Sequence, residues 1–207
     1  RAFGLGETTG IDLPSESPGL VPNAEWKDEN YGETWLLGDT YNFGIGQGYL
    51  AVTPLQLLTA VSAIGNGGDV VVPHLLNEVW DSHDNVTRRV EGEVRQRVPV
   101  DPQYLNIVQE AMRQSVTSGV ARTAQVAGLS VAGKTGTAEF GPTFADGSHE
   151  THGWFVGFAP YDDPQVAVVV FVQRGGGGQH AAPVASRIFD YLFNGSNLAQ
   201  NLKGEDR

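Results

Sequence analysis

A lysine, two hydroxyls and a glycine lie together in Lys134-Thr135-Gly136-Thr137, and Trp154-Phe155-Val156-Gly157 begins seventeen residues after Thr137. On an extended strand this set can hold a carboxylate by charge and hydroxyl hydrogen bonds, while the missing side chain at Gly136 lets a second backbone lie close. Trp154-Phe155 on a following strand could wall such a groove. The set holds and orients, but it contains no nucleophile.

The serines do not supply one. None between Ser15 and Ser196 has a lysine three residues on or an asparagine two residues on. Tyr104-Leu105-Asn106 imitates a polar loop of that kind, yet Tyr104, Leu105, Val108, Met112 and Val116 recur at helical spacing and read as a buried helix face. The chain also begins at Arg1 without methionine, so the expectation is a piece of a longer protein whose earlier part carries the nucleophile.

Other chemistries fit less well. Gly128 to Thr135 spells G-x-x-x-x-G-K-T letter for letter. A phosphate-binding loop needs a strand before it and a helix after it, and here a helical segment precedes and two glycines and a proline follow. The five histidines show no metal-binding spacing, and His149 and His152 sit in a hairpin-like stretch, so no metal or cofactor is expected. Asp162-Asp163-Pro164 reads as a turn, and the two N-x-S/T triplets, at Asn85 and Asn194, as chance.

Composition narrows the class. A formal charge of -11 argues against nucleic acid or an anionic membrane surface as the main partner. With 207 residues, 40% hydrophobic and 18% charged, the chain can bury one good core, and zero cysteines exclude disulfides. The longest apolar run, Val166 to Val172, is too short to span a bilayer.

The elements that must position the tetrad follow from caps and periodicity. Residues 1 to 50, rich in glycine and proline, read as a long irregular cover with short elements. Thr53 caps a helix with Pro54 at its first position and Leu57, Leu58, Val61 and Ile64 on its apolar side, ending at Gly65 to Gly68. Val70 to Trp80 and Val86 to Val98 read as strands with turns at Asp81 to Asn85 and Glu91-Gly92. A helix runs from Pro102 to about Val116. Val131 to Ala138, Gly153 to Ala159 and Val166 to Gln173 read as adjacent antiparallel strands, because their connections are too short for crossovers. The glycines 175 to 178 break the sheet, Pro183 to Phe193 forms a closing helix, and the tail past Asn194 should fray. The expected class is α+β, a mixed antiparallel sheet flanked by helices.

With these residues in hand, the chain resembles the C-terminal part of the transpeptidase domain of a class B penicillin-binding protein, elongation type. The resemblance runs through Phe3-Gly4, Thr9 to Glu16, Gly38-Asp39-Thr40, Ile45-Gly46-Gln47-Gly48, Val52 to Leu57, Asn66-Gly67-Gly68, Lys134 to Glu139 and Gly153 to Pro160. K-T-G marks that family beside an S-x-x-K and an S-x-N, both absent here. The resemblance implies the penicillin-binding transpeptidase fold over residues 1 to 207. It implies a serine acyl-enzyme that cross-links peptidoglycan stem peptides ending in D-Ala-D-Ala and is trapped by β-lactams. It implies a site outside the bacterial inner membrane, anchored by another segment, with wall-elongation membrane proteins as partners. Lys134 and Thr137 would be the catalytic contributors, Thr137 through its backbone N–H as an oxyanion donor. Lys134, Thr135, Gly136, Thr137 and Trp154 would hold substrate or antibiotic. The chain by itself, lacking the serine, is expected to be inactive. Alternatives are a class D β-lactamase or β-lactam sensor, which shares K-T-G and W-F-V-G, and a non-catalytic scaffold module.

Overall fold

The computed structural model describes residues 1–202, with side chains to 195. It divides into two compact units, Arg1–Asp101 and Pro102–Arg207. Among the described residues all strand pairs are antiparallel, so the α+β expectation holds. They form three small sheets in place of one.

The first unit contains more helix than its sequence advertises. α1, Ala24–Tyr31, starts where the Asn23 side chain accepts the Trp26 N–H at 2.8 Å, and stops at Gly32, whose left-handed φ of 66° turns the chain out. α2, Leu37–Gly44, is fixed by Asp39, whose carboxylate accepts the Leu36 N–H at 2.7 Å. α1 has no apolar stripe, and α2 is two turns long, buries no residue and lies among turn-forming glycines, which is why residues 1 to 50 read as irregular. α3, Pro54–Gly65, matches expectation: Thr53 and Gln56 close a reciprocal capping box, with Pro54 at the first turn.

The stretch from Val70 to Trp80 is not one strand. β1, Asp69–Val72, stops before Pro73 and β2, Glu78–Trp80, begins five residues after it. Proline cannot donate to a ladder, and the N–H groups of Leu75 and Leu76 are taken by the Asp12 carboxylate at 2.8 and 2.9 Å. β2 pairs with β3, Val86–Arg89, and β1 with β4, Glu93–Arg97.

In the second unit α4, Pro102–Thr117, runs as expected, but its buried line is Leu105, Met112 and Val116. Tyr104 and Val108 are 57% and 42% exposed, a correction to the reading that placed them inward. The helix carries apolar residues on two stripes, and only one faces this unit's core. A 3-10 turn, Arg122–Ala124, leads to β5, Ala132–Phe140, β6, Glu150–Ala159, and β7, Val166–Val172, in sheet order β5-β6-β7. α5, Gly178–Leu202, starts five residues earlier than its apolar periodicity suggests and continues past Asn194 to Leu202, so the tail to that point is helix. Residues 203 to 207 lie outside the described residues. The helix accommodates Pro183 in its second turn, at the loss of one backbone donor.

The second unit holds one apolar cluster, with Leu105, Met112, Ala132 and Phe158 also buried outside it. Phe155, Val168 and Val170 from the sheet meet Ala181, Ala182, Ala185 and Phe189 from α5, and Val116, Ala121, Ala124 and Val131 complete the cluster. Each fully buried phenylalanine contributes roughly 1.5–3 kcal/mol.

Candidate functional site

Lys134 to Thr137 occupy the middle of β5, the outer strand of its sheet, with only β6 hydrogen-bonded to it among the described residues. Among the described residues the other edge of β5 has no strand. An edge of this kind presents backbone donors and acceptors to an incoming extended chain. No helix follows Lys134, because the strand runs on to Phe140, so the G-K-T letters do not form a phosphate loop.

Strand alternation sorts the tetrad onto two faces. The register pairs Lys134 with Val156, Thr135 with Phe155, Gly136 with Trp154 and Thr137 with Gly153. Lys134, Gly136 and Trp154 therefore share one face. Thr135 and Thr137 share the other with Phe155, the face that α5 covers. The two sets meet only along the open edge, where Lys134 and Thr137 are both exposed.

Each neighbour explains a residue of the motif. At Gly136 a Cβ would stand 3.2 Å from the Trp154 Cβ, so glycine leaves room for the tryptophan across the sheet. At Gly133 any side chain would enter the Phe155 ring. Trp154 is half-buried, its ring centroid 4.4 Å from that of Phe171. Lys134 Nζ donates to the Thr135 carbonyl at 2.6 Å, which lays the ammonium along the edge.

The glycine run read as a mere sheet break turns out to build the second wall. Gly178, first residue of α5, donates its N–H to Thr137 Oγ1 at 3.4 Å. A Cβ on Gly178 would stand 2.6 Å from the Thr135 Cβ and 2.9 Å from the Gly136 carbonyl oxygen. Gly176 and Gly177 take φ values of 71° and 129°, which side-chain-bearing residues avoid. The α5 N-terminus, with its partial positive charge, thus abuts the two threonines. The available signal was four glycines directly before an apolar-periodic segment; nothing local in the sequence said what they approach.

Other residues singled out in the sequence lie elsewhere. Gln47 belongs to the first unit, where its N–H donates to the Asn42 carbonyl at 2.8 Å. His149 Nε2 is 3.2 Å from Thr143 Oγ1, and His152 stacks on Phe140. Among the described residues no group of three or more acidic, histidine or cysteine side chains is placed to hold a metal ion, and no helix is long and apolar enough to cross a membrane.

Three kinds of comparison bear on this site. The family model of the penicillin binding protein transpeptidase domain matches residues 1–190. Peptidoglycan D,D-transpeptidase MrdA of Acinetobacter baumannii is 38% identical over 202 residues, covering 92% of this chain and 30% of that protein. The MrdA of Haemophilus influenzae is 34% identical, covering 94% and 32%. Among solved structures, the complex between penicillin-binding protein PBP2 and MreC from Helicobacter pylori matches with a TM-score of 0.77 at 28% identity, covering 94% of this chain and 34% of that one. Pseudomonas aeruginosa PBP2 in complex with WCK 5153 matches with a TM-score of 0.73 at 34% identity, covering 92% and 42%. The chain spans about a third of the length of the curated relatives it matches.

Proposed function

The chain belongs to the penicillin-binding protein transpeptidase family, and from that premise we propose that it supplies the substrate-holding edge of a peptidoglycan D,D-transpeptidase of the elongation type. The observation that carries the proposal is the open edge of β5, where an exposed ammonium and an exposed threonine flank a glycine with no β-strand on that side. A stem peptide ending in D-Ala-D-Ala would lie along this edge, as would a β-lactam in its place.

The roles follow from chemistry. Lys134 provides the fixed positive charge. The hydroxyls of Thr135 and Thr137 donate to the terminal carboxylate, with the first turn of α5 behind them adding its partial charge. The backbone N–H of Thr137 acts as an oxyanion donor, useful because the strand fixes its direction before charge develops. Trp154 walls the face shared with Lys134. No serine here is paired with a lysine base, so the nucleophile comes from the part of the transpeptidase domain that these residues do not contain. Residues 1 to 207 are then the C-terminal portion of that domain, working outside the inner membrane beside wall-elongation membrane proteins. The H. pylori relative's assembly with MreC supports such company.

The test uses the complete transpeptidase. Lys134→Ala should slow acylation by a β-lactam about ten- to hundredfold, the value of a charged hydrogen bond of roughly 1.5–3 kcal/mol. Unchanged acylation in a folded variant would remove Lys134 from the site. Thr137→Val deletes the hydroxyl and keeps the N–H, so it should weaken half-saturation by about 1 kcal/mol. A plateau rate lowered on the order of a thousandfold would instead mean that the side chain carries the oxyanion role.

A further inference from the structure

We infer that His152 is a positioning residue for the K-T-G-T edge: it holds Arg174 in the turn that delivers Gly177 and Gly178 to Thr137, and its protonation releases that turn. The functional weight of this device rests on the reading of Thr137 given above; the device itself does not.

The geometry begins with a donor that cannot be reversed. The backbone N–H of Arg174 points to His152 Nδ1 at 3.1 Å. A main-chain N–H only donates, so Nδ1 must carry a lone pair and the ring proton sits on Nε2. The ring is locked in that orientation by Phe140, stacked at 3.9 Å with an interplanar angle of 3°, and by Phe171, edge-on at 5.0 Å. Arg174 has a φ of 53°, which residues with a Cβ adopt only when held. Its main chain is held by His152, and its guanidinium lies 5.8 Å over Phe140 with Nε 3.3 Å from Glu150.

From Arg174 the glycines have no conformational preference strong enough to shape the loop, so contacts must: its two ends, the Gly175 N–H on the Val172 carbonyl at 3.2 Å, His180 Nδ1 at the Gly175 carbonyl, and the Gln179 amide on the Gly176 carbonyl at 3.2 Å. Gly176 donates to the Thr151 carbonyl at 3.4 Å, and the Gly177 carbonyl packs so closely on Gly153 that no side chain could stand there. The far end is Gly178 N–H on Thr137 Oγ1. Thr137 pairs across the sheet with Gly153, the residue after His152. The two fastenings are thus neighbours in the sheet.

Histidine is the side chain whose ordinary charge change falls between pH 5 and 8. A proton on Nδ1 removes the acceptor and sets an N–H against the Arg174 N–H. The charged groups around the ring are Glu150 on its own strand and face and Arg174 from the turn; β5 offers Ala138 and Phe140 and β7 offers Phe171, all uncharged, Glu139 lies on the opposite face by alternation, and α5 brings a second titratable ring to the turn, His180, at the Gly175 carbonyl.

The experiment is a pH titration of the 207-residue chain from 8 to 5, read by amide NMR and by hydrogen exchange corrected for its intrinsic pH dependence. The Arg174, Gly177, Gly178 and Thr137 amides should shift with one midpoint, identical to that of the His152 ring, and the Arg174 amide should lose roughly tenfold protection. His152→Asn puts an acceptor near the Nδ1 position that does not titrate, and should make these signals flat with pH. His152→Phe keeps the stack and removes the acceptor, and should give the released signals at every pH. The inference is overturned if Gly178 and Thr137 stay still while the ring titrates, or if His152→Phe keeps the wild-type loop signals. Should neither variant fold, the wild-type titration decides by whether the turn amides follow the His152 ring or the ring of His180, whose Nδ1 meets the Gly175 carbonyl of the same turn; the latter overturns the inference. None of these readouts involves a ligand, so a failure of the wall-peptide reading leaves them standing, and their failure leaves that reading untouched.

Discussion

The two units hold themselves together by different means. The second has a continuous apolar cluster in which Phe155 and Phe189 are fully buried and the polar residues stay outside. The first buries small apolar residues, Ala60, Val61, Ala63, Val70 and Val98, and relies on polar side chains reaching across the sequence to distant backbone. Gln56, fully buried, donates to the carbonyls of Glu7 and Pro18 at 2.7 Å each. Asp12 ties to Leu75 and Leu76, and Arg95 donates to the Thr8 carbonyl and to Glu7. Lys27, only 2% exposed, is clamped by Asp39 at 2.7 Å and by Glu33 at 3.4 Å. Apolar packing tolerates changes of pH and shape at its margins, whereas a polar staple fails when one partner is lost, because the other is left buried and unsatisfied.

The sharpest contrast should come from the core. Phe155→Ala is expected to destabilise the second unit by about 3–5 kcal/mol, seen as a lowered denaturation midpoint with accelerated exchange of β6 amides, while Leu75 and Leu76 amides in the first unit keep their protection. Equal loosening of both units would break the comparison. Gln56→Ala should have the reverse footprint, costing about 2–4 kcal/mol because two carbonyls lose their donor. Slower exchange in the first unit would sink that account.

Acid should separate the units more gently. Hydrogen bonds from the Leu76 and Leu75 N–H groups hold the Asp12 carboxyl below its usual 3.8, and the Lys27 ammonium does the same for Asp39. Because these carboxyls are lowered in the folded state, their contribution is present above the ordinary value and is lost as pH falls through the lowered one. The Leu36, Leu75 and Leu76 amides should therefore lose protection below pH 3.8 before the Phe155 amide does. In the second unit Glu110, brought down to about 2 chiefly by Arg113, bonds Arg113 and Gln114 of its own helix and also meets the Tyr161 hydroxyl beyond it. The smallest effect belongs to Lys134→Ala, which should change stability by no more than about 0.5 kcal/mol, since the side chain is exposed and buries no charge. A large loss there would make Lys134 structural.

The same contrast governs what could be read from the chain. Elements with local punctuation were legible: the Thr53-Pro54 cap, the turns that bound β5, β6 and β7, and the motif that placed Lys134 on a strand. What escaped depends on partners far away in sequence. Nothing near Lys27 announces a buried lysine, because Asp39 lies twelve residues on, and nothing near Pro73 announces that Asp12 will take the donors that follow it. Tyr104 and Val108 have the spacing of a buried face, yet spacing cannot say which of two apolar stripes meets the core. The candidate site was half legible. Its types and order stand in the sequence, but the division of Lys134 from Thr135 and Thr137 onto opposite faces needs the strand register, and Gly178 needs the third dimension.

That last contact also sets which mutations this edge can accept. The wall behind the threonines is made of main chain at Gly177 and Gly178 and meets main chain at Gly136 and Gly153, so no side-chain exchange can adjust its fit by small steps. A saturation library should show a block of intolerant glycines around positions that tolerate more, such as Gln179, whose amide reaches only the Gly176 carbonyl. A lineage under pressure to change what this edge accepts would then have little to select at the wall itself. Its accessible routes run through the exposed ends, Lys134 and Thr137, and through the histidine and arginine that hold the loop from outside.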